Sequence, residues 1–411
     1  MPCAPHLFTP LDLPNGARLR NRIVKSAMSD ALGDGRGDPT AAQARLYRVW
    51  AEGGVAVSII GEVQGDARFP ESPGNLVLGE HSDTGAFAAL SQAGHMGGTQ
   101  LWFQLGHAGA LTPPRIGTPK GPSALDLPGL RAEALTLPEI RALPAHFAAT
   151  ARHAERLGAS GVQIHAAHGF LLSQLLSPLF NRRGDSHGGG IANRMRLLLD
   201  IVEAVRAAIR PATALSVKLN ASDQLDGGLA PDDALEVVAA LDRTGVDLID
   251  ISGGTYFPGA KAASDRPASG PYFLEFAAAA RQRTRLPLMA TGGFRRRQDA
   301  EAALRDGTLD AIGLARALVL DPALPSRWRV GGADPDWPRF ATSPPGGVTA
   351  WFTQRMATLA ANGHAGPPIT PEDALRLQHE RGAALSRIWR ARFGAGGNTG
   401  QGGAANGAST T

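Results

Sequence analysis

Eight short apolar runs recur along the chain, at residues 22–27, 55–60, 101–105, 161–165, 214–219, 246–251, 286–290 and 311–314. Most are rich in Val, Ile and Leu without polar alternation, the pattern of strands covered on both faces. Amphipathic stretches fall between most of them, at 137–157, 193–209, 231–243 and 297–305. Asp232 and Asp233 lie in the first turn of one such stretch, where acidic side chains complement the helix dipole. Strand followed by helix, eight times over, predicts an α/β chain folded as a (β/α)8 TIM barrel. A doubly wound open sheet is the competing architecture, and it would carry a glycine-rich fingerprint after its first strand. Here the first run leads into Lys25-Ser26-Ala27-Met28-Ser29, without that fingerprint.

The barrel is expected to fill residues 1–325. It would begin with an N-terminal β-hairpin, since residues 11–13 and 17–19 flank Asn15-Gly16, a strong turn pair. Residues 326–393 read as a helical C-terminal extension, with helix over 349–393 carrying Trp351 and Trp389. Residues 394–411 are mostly Gly, Ala, Asn, Ser and Thr, which predicts a disordered tail. Segment 107–134 leaves the third run rich in Pro and Gly, on the face where barrels build active sites, and reads as a lid.

A chain of 411 residues that is 43% hydrophobic can bury a large core. Its 41 basic and 37 acidic residues are interspersed, which predicts a solvated surface and no nucleic-acid partner. Cys3 is the single cysteine, so neither an internal disulfide nor a cysteine metal cluster can form. No run approaches the ~20 apolar residues of a membrane span. The first residues lack a basic region followed by an apolar run, so a cytoplasmic protein is expected.

The fourth run ends His165-Ala166-Ala167-His168-Gly169-Phe170. Two histidines there could bind metal, donate hydrogen bonds to an anion or carbonyl, or serve structure. A metal would need more ligands, and the sixth run offers Asp247 and Asp250. The seventh run leads into Thr291-Gly292-Gly293, and the eighth holds Gly313 ahead of Ala315-Arg316. Glycines at these two exits, with an arginine beside them, predict a site for a phosphorylated ligand. Lys218, near the top of the fifth strand, could form a Schiff base as in an aldolase. It could equally stabilise negative charge on an electron-accepting ring, or sit in a structural ion pair. Gln104 could hydrogen-bond a ring edge.

Together these motifs resemble the Old Yellow Enzyme family of NAD(P)H:flavin oxidoreductases. The most specific block runs from His165 through Leu171-Leu172-Ser173-Gln174 to Pro178, then Asn181-Arg182-Arg183 and Asn193-Arg194. Asn21-Arg22-Ile23-Val24, Trp50-Ala51-Glu52-Gly53-Gly54, Lys218-Leu219-Asn220 and Thr291-Gly292-Gly293-Phe294 extend it. The resemblance implies FMN across the barrel top, its phosphate on Gly292, Gly293, Gly313 and Arg316. Ser26, Ala27, Met28, Ser29 and Gly61 would approach the ring, with Gln104 on its pyrimidine edge. Lys218 would lie near N1 and O2, where many relatives have Arg, stabilising the reduced ring. His165 and His168 would clamp a small-molecule substrate, an α,β-unsaturated carbonyl or nitro compound. NADH or NADPH would supply hydride. The resemblance leaves a homo-oligomer open and includes no metal. Phe170 stands where many relatives have the tyrosine that protonates substrate. This departure makes a flavin-dependent isomerase or dehydrogenase the main alternative, with the Lys218 aldolase more remote. His187 and Tyr256 are two residues that could replace the missing acid, and Ala110 stands where an arginine often follows Gly109.

Overall fold

The computed structural model describes residues 6–257, 260, 270–340, 343–364 and 366–394. The tail expected at 394–411 lies, but for Gly394, outside them.

Eight parallel strands close on themselves. They are β1 Ile23–Lys25, β2 Val57–Gln64, β3 Gln100–Gly106, β4 Gly161–Ala166, β5 Ala214–Asn220, β6 Leu248–Ser252, β7 Leu288–Thr291 and β8 Ala311–Leu314. Each pairs with the next, and β8 pairs with β1 to shut the barrel. The eight apolar runs thus become its staves. All eight residues of β2 are buried, and it runs further than the apolar run predicts. The extension is made by a bulge. Pairing with β3 shifts between Ile60 and Val63, and Glu62 there takes φ 55°.

The helices returning outside are α1 Ala41–Glu52, α2 Thr84–Gly94, α3 Leu137–Arg156, α4 Arg196–Ala208, α5 Pro231–Leu241, α6 Leu274–Arg281, α7 Arg297–Arg305 and α8 Arg316–Leu320. Caps set several starts. Thr40 accepts the Gln43 N–H ahead of α1, and Thr136 with Glu139 forms a full capping box ahead of α3. The helix expected over 193–209 is interrupted at Met195, so the short helix Ile191–Arg194 precedes α4.

The hairpin forms as expected, Leu11–Asp12 against Arg18–Leu19. The helix expected over 349–393 is two helices, α9 Gly347–Asn362 and α10 Pro371–Phe393. Gly363 ends α9 in the left-handed region at φ 75°, and Pro367-Pro368 follow before α10 starts. Trp351, Phe352 and Met356 of α9 belong to the same apolar core as Leu46 and Trp50 of α1. Segment 107–134 carries three short strands, Lys120–Gly121, Leu125–Leu127 and Leu130–Ala134. Leu125 and Ala132 build a separate apolar cluster with Ala110, Phe180 and Phe257. Among the described residues no helix is long and apolar enough to cross a membrane.

Candidate active site

Strand ends gather the histidines. His165 is the penultimate residue of β4, buried, with its ring edge-on to His168 at 5.2 Å and 84°. Its Nδ1 accepts the Ala167 N–H at 3.3 Å, so the neutral ring carries its proton on Nε2. That Nε2 lies 3.1 Å from the Glu62 carboxylate. Burial first, then the Lys218 charge, holds His165 down at about 3. Burial also lowers His168 well below the usual histidine range. Both rings are therefore neutral at physiological pH.

His168 sits at φ 62° just past β4. Its N–H donates to Asn220 Oδ1 at 3.0 Å, and its Nε2 lies 2.9 Å from Ser252 Oγ. Its backbone bridges to Thr255, and its carbonyl accepts the Tyr256 N–H at 3.1 Å. This bridge ties the β6 exit to the β4 exit. Tyr256 comes to rest beside the His168 ring at 5.9 Å and the Phe170 ring at 5.8 Å. Phe170 is buried and also flanks His165 at 5.1 Å. Tyr256 stays 61% exposed as a residue, while burial around its phenol pushes that group up to about 12. His187 is instead held in its own loop by Asn181 and Asp185. Ala110 is buried, its N–H donating to Gln174.

Below the histidines, buried polar side chains cross the barrel. Gln104 donates to Gln163 at 2.8 Å, and Gln163 reaches Ser216 at 3.2 Å and Asp250 at 3.3 Å. Lys218 Nζ pairs with Asp250 Oδ2 at 2.6 Å, both side chains sealed from solvent. The Thr291 hydroxyl donates to Asp250 Oδ1 at 2.8 Å and meets Ser26 Oγ at 2.7 Å. Asp250, weighed in the sequence as a metal ligand, thus spends both oxygens on protein donors. Asp247 accepts the Leu215 N–H and pairs with Arg206.

Burial raises Glu62 to about 8, against an opposing hydrogen bond from Gln64. Glu71 is raised to about 7 by burial and by the nearby Glu62, against a hydrogen bond from Ser29. Ser29, expected at the ring, thereby reaches the Glu71 carboxyl.

At the β7 exit Gly292 and Gly293 take φ 136° and 81°. A Cβ on Gly292 would lie 3.1 Å from the Tyr272 and Phe273 rings. One on Gly293 would strike the Gly270 carbonyl, and one on Gly313 the Thr291 and Ser26 hydroxyls. Gly61 is bare because the Met28 backbone occupies its Cβ position. Arg316 opens α8 with its guanidinium 5.0 Å above the Phe352 ring of α9. Glycine backbone at two neighbouring exits, partly accessible at Gly292 and Gly293, an arginine beside them, and an amide and an ammonium deeper in suit one phosphorylated ring ligand. The donor set fits FMN.

Glu62 and Gln163 escaped the sequence reading. For Gln163 the available signal was an amide inside an otherwise apolar run, whereas Glu62 lies two residues beyond the run at 55–60. The bulge that turns Glu62 inward left no mark in the spacing.

A parallel barrel whose top holds neutral paired histidines, a buried lysine–aspartate pair and glycine-bearing strand exits is compatible with a flavin-dependent oxidoreductase scaffold. Residues 6–334 match the NADH:flavin oxidoreductase / NADH oxidase family. The chain belongs to that family, the Old Yellow Enzymes, and is an NAD(P)H-dependent oxidoreductase that uses FMN. It is 32% identical over 420 residues to the NADH-dependent flavin oxidoreductase iccE of Talaromyces variabilis, covering 87% of this chain and 99% of that one. It is 34% identical over 357 residues to the NADH-dependent flavin oxidoreductase iliE of Neonectria sp. (strain DH2). That match covers 78% of this chain but spans only 46% of the relative's length. Morphinone reductase in complex with tetrahydroNAD superposes with a TM-score of 0.69 at 25% identity, over 82% of this chain and 93% of that one.

Proposed function

We propose that the chain reduces electron-poor alkenes, α,β-unsaturated carbonyl or nitro compounds, with Tyr256 as the proton donor. Bound FMN supplies the hydride, taken from NADH or NADPH. Gly292, Gly293, Gly313 and Arg316 would hold its phosphate, Gln104 and Lys218 its ring edge, and Ser26, Ala27, Met28, Ser29 and Gly61 its flank.

His165 and His168 hold the substrate oxygen. Neutral imidazoles donate hydrogen bonds without transferring the proton, which polarises a conjugated bond and leaves the rings unchanged. A substrate oxygen competes with Glu62 for the His165 Nε2 proton and with Ser252 for His168. Two hydrogen bonds to an activated oxygen fix one face of the alkene against the cofactor. The resulting carbanion needs a proton. Phe170 has none to give, and Tyr256 brings a phenol against both Phe170 and His168. That juxtaposition carries the reading, and the morphinone and tetrahydroNAD named for the neighbour agree with an enone and a nicotinamide using such a site.

Anaerobic mixing of the NADH-reduced protein with an activated enone tests it. Tyr256→Phe should slow alkene saturation by roughly 10²- to 10⁴-fold, the usual reach of a general acid. NADH reduction of the flavin should stay at the wild-type rate. Unchanged saturation would remove Tyr256 from the reaction. A wild-type protein that bleaches with NADH yet never saturates the enone would favour the second reading, an isomerase or dehydrogenase, which Phe170 supports.

A further inference from the structure

We infer that Asp250 sets the reduction potential of the bound flavin by neutralising Lys218. This rests on the reading that Lys218 faces the flavin ring. An ammonium placed there stabilises the negative charge that the ring acquires on reduction. In this chain the ammonium is not alone. Asp250 stands opposite it on the next strand, in register. The two side chains meet at 2.6 Å with no more than 1% of either exposed.

In such surroundings little water screens the carboxylate, and charges at this range interact far more strongly than in solvent. The pair presents a near-neutral dipole to the ring, where an unpaired lysine would present a full positive charge. Thr291 and Gln163 fix the carboxylate from two further strands, at 2.8 and 3.3 Å. Asp250 therefore cannot swing away when the ring is reduced. Thr291 and Gln163 also connect it to Ser26 and Gln104, two other residues read as flavin contacts. Asp250 is thus a positioning residue. It holds the flavin more strongly reducing than an unpaired lysine would.

The test is the midpoint potential of the FMN-loaded protein, measured by equilibration with a reference dye at fixed pH. The variants are Asp250→Asn, Lys218→Gln and the double variant. Asp250→Asn leaves an unpaired cation. It should shift the two-electron equilibrium toward reduced flavin at least tenfold, about 30 mV upward. Lys218→Gln leaves an unpaired carboxylate and should shift the equilibrium at least tenfold the other way. The double variant restores neutrality and should return to within threefold of wild type.

An Asp250→Asn potential at or below wild type, while Lys218→Gln falls, overturns the inference and leaves Lys218 at the ring. A Lys218→Gln potential equal to wild type overturns both the Lys218 placement and the inference resting on it. Loss of one partner from a buried pair is strongly destabilising. Should Asp250→Asn fail to fold or to retain FMN, the other two variants decide. The double variant must then lie at least tenfold above Lys218→Gln, and equal potentials overturn the inference.

Discussion

Glu62 holds a left-handed backbone, φ 55°, to place its carboxyl on His165. Such a conformation costs a non-glycine residue on the order of 1–3 kcal/mol and persists where surrounding structure enforces it. Here the β2–β3 register shift does so. Its raised value of about 8, against 4.5 in the unfolded chain, has a definite sign. Between those values the native protein keeps a proton that the unfolded chain has released. Stability from Glu62 is therefore fully present below 4.5 and lost as pH rises through 8, by about 1.4 kcal/mol per unit inside the window. Glu62→Gln should flatten this loss, so that its melting temperature falls less than wild type between pH 6 and pH 9. Parallel profiles would mean that the native carboxyl is already ionised at neutral pH. Lys25, lowered to about 7 by burial, contributes the opposite slope above pH 7, equally in both proteins. At this scale the sequence was partly readable. The two histidines, Lys218 and the phenol-to-Phe exchange at 170 all stand in the last residues of a strand or just past it, where period and motif are local. Glu62 needed the bulge, and the Lys218–Asp250 pair needed strand register, which a run of apolar residues does not specify.

Among the elements, α9 touches the β8 exit from outside the barrel. Its Phe352 ring lies under Arg316, the arginine at the β8 exit. A cation over an aromatic face gains roughly 0.5–2 kcal/mol, more when desolvated, and it also narrows the rotamers of a long side chain. Phe352→Ala should weaken FMN binding by about three- to thirtyfold, read by flavin fluorescence on titration of the apoprotein. Wild-type affinity would mean Arg316 is held without the ring. The bulged part of β2 matters in a second way. Gly61 leaves space that the Met28 backbone fills, locking the β1 exit against β2. Gly61→Ala should displace residues 27–29 and alter the flavin absorption envelope, and an unaltered spectrum would show that this exit does not reach the ring. Element existence was well marked by the alternation of apolar runs. Boundaries were less so. The single helix expected over 349–393 became two because Gly363 and the prolines after it stop α9, signals present in the residues but outweighed by helical periodicity on both sides.

On the scale of the whole molecule, the C-terminal helices share the barrel's core. Ala350, Met356, Leu359 and Ala360 are buried in the cluster that holds Leu46, Tyr47 and Trp50 of α1, and Arg45 donates to the Ala360 carbonyl at 2.9 Å. Further along, Leu385 and Ile388 of α10 press on Gly35, in the loop beyond β1. A chain ended after residue 345 would strip that face of α1 bare. Uncovering several core side chains costs about 1.5–3 kcal/mol apiece. Such a chain should melt well below the full protein, and an unchanged melting temperature would make the extension an independent unit.

The polar belt that crosses the barrel also bears on how this enzyme can be redesigned. Gln104, Gln163, Lys218, Asp250, Thr291 and Ser26 each satisfy a neighbour in the belt. Exchange of one strands its partner, so productive libraries at this depth must vary positions in pairs. The 120–134 strands lie outside the belt and should tolerate single changes, whereas Tyr256, read as the proton donor, should not. Selection for a new substrate should therefore accumulate mutations along the rim and leave the floor intact.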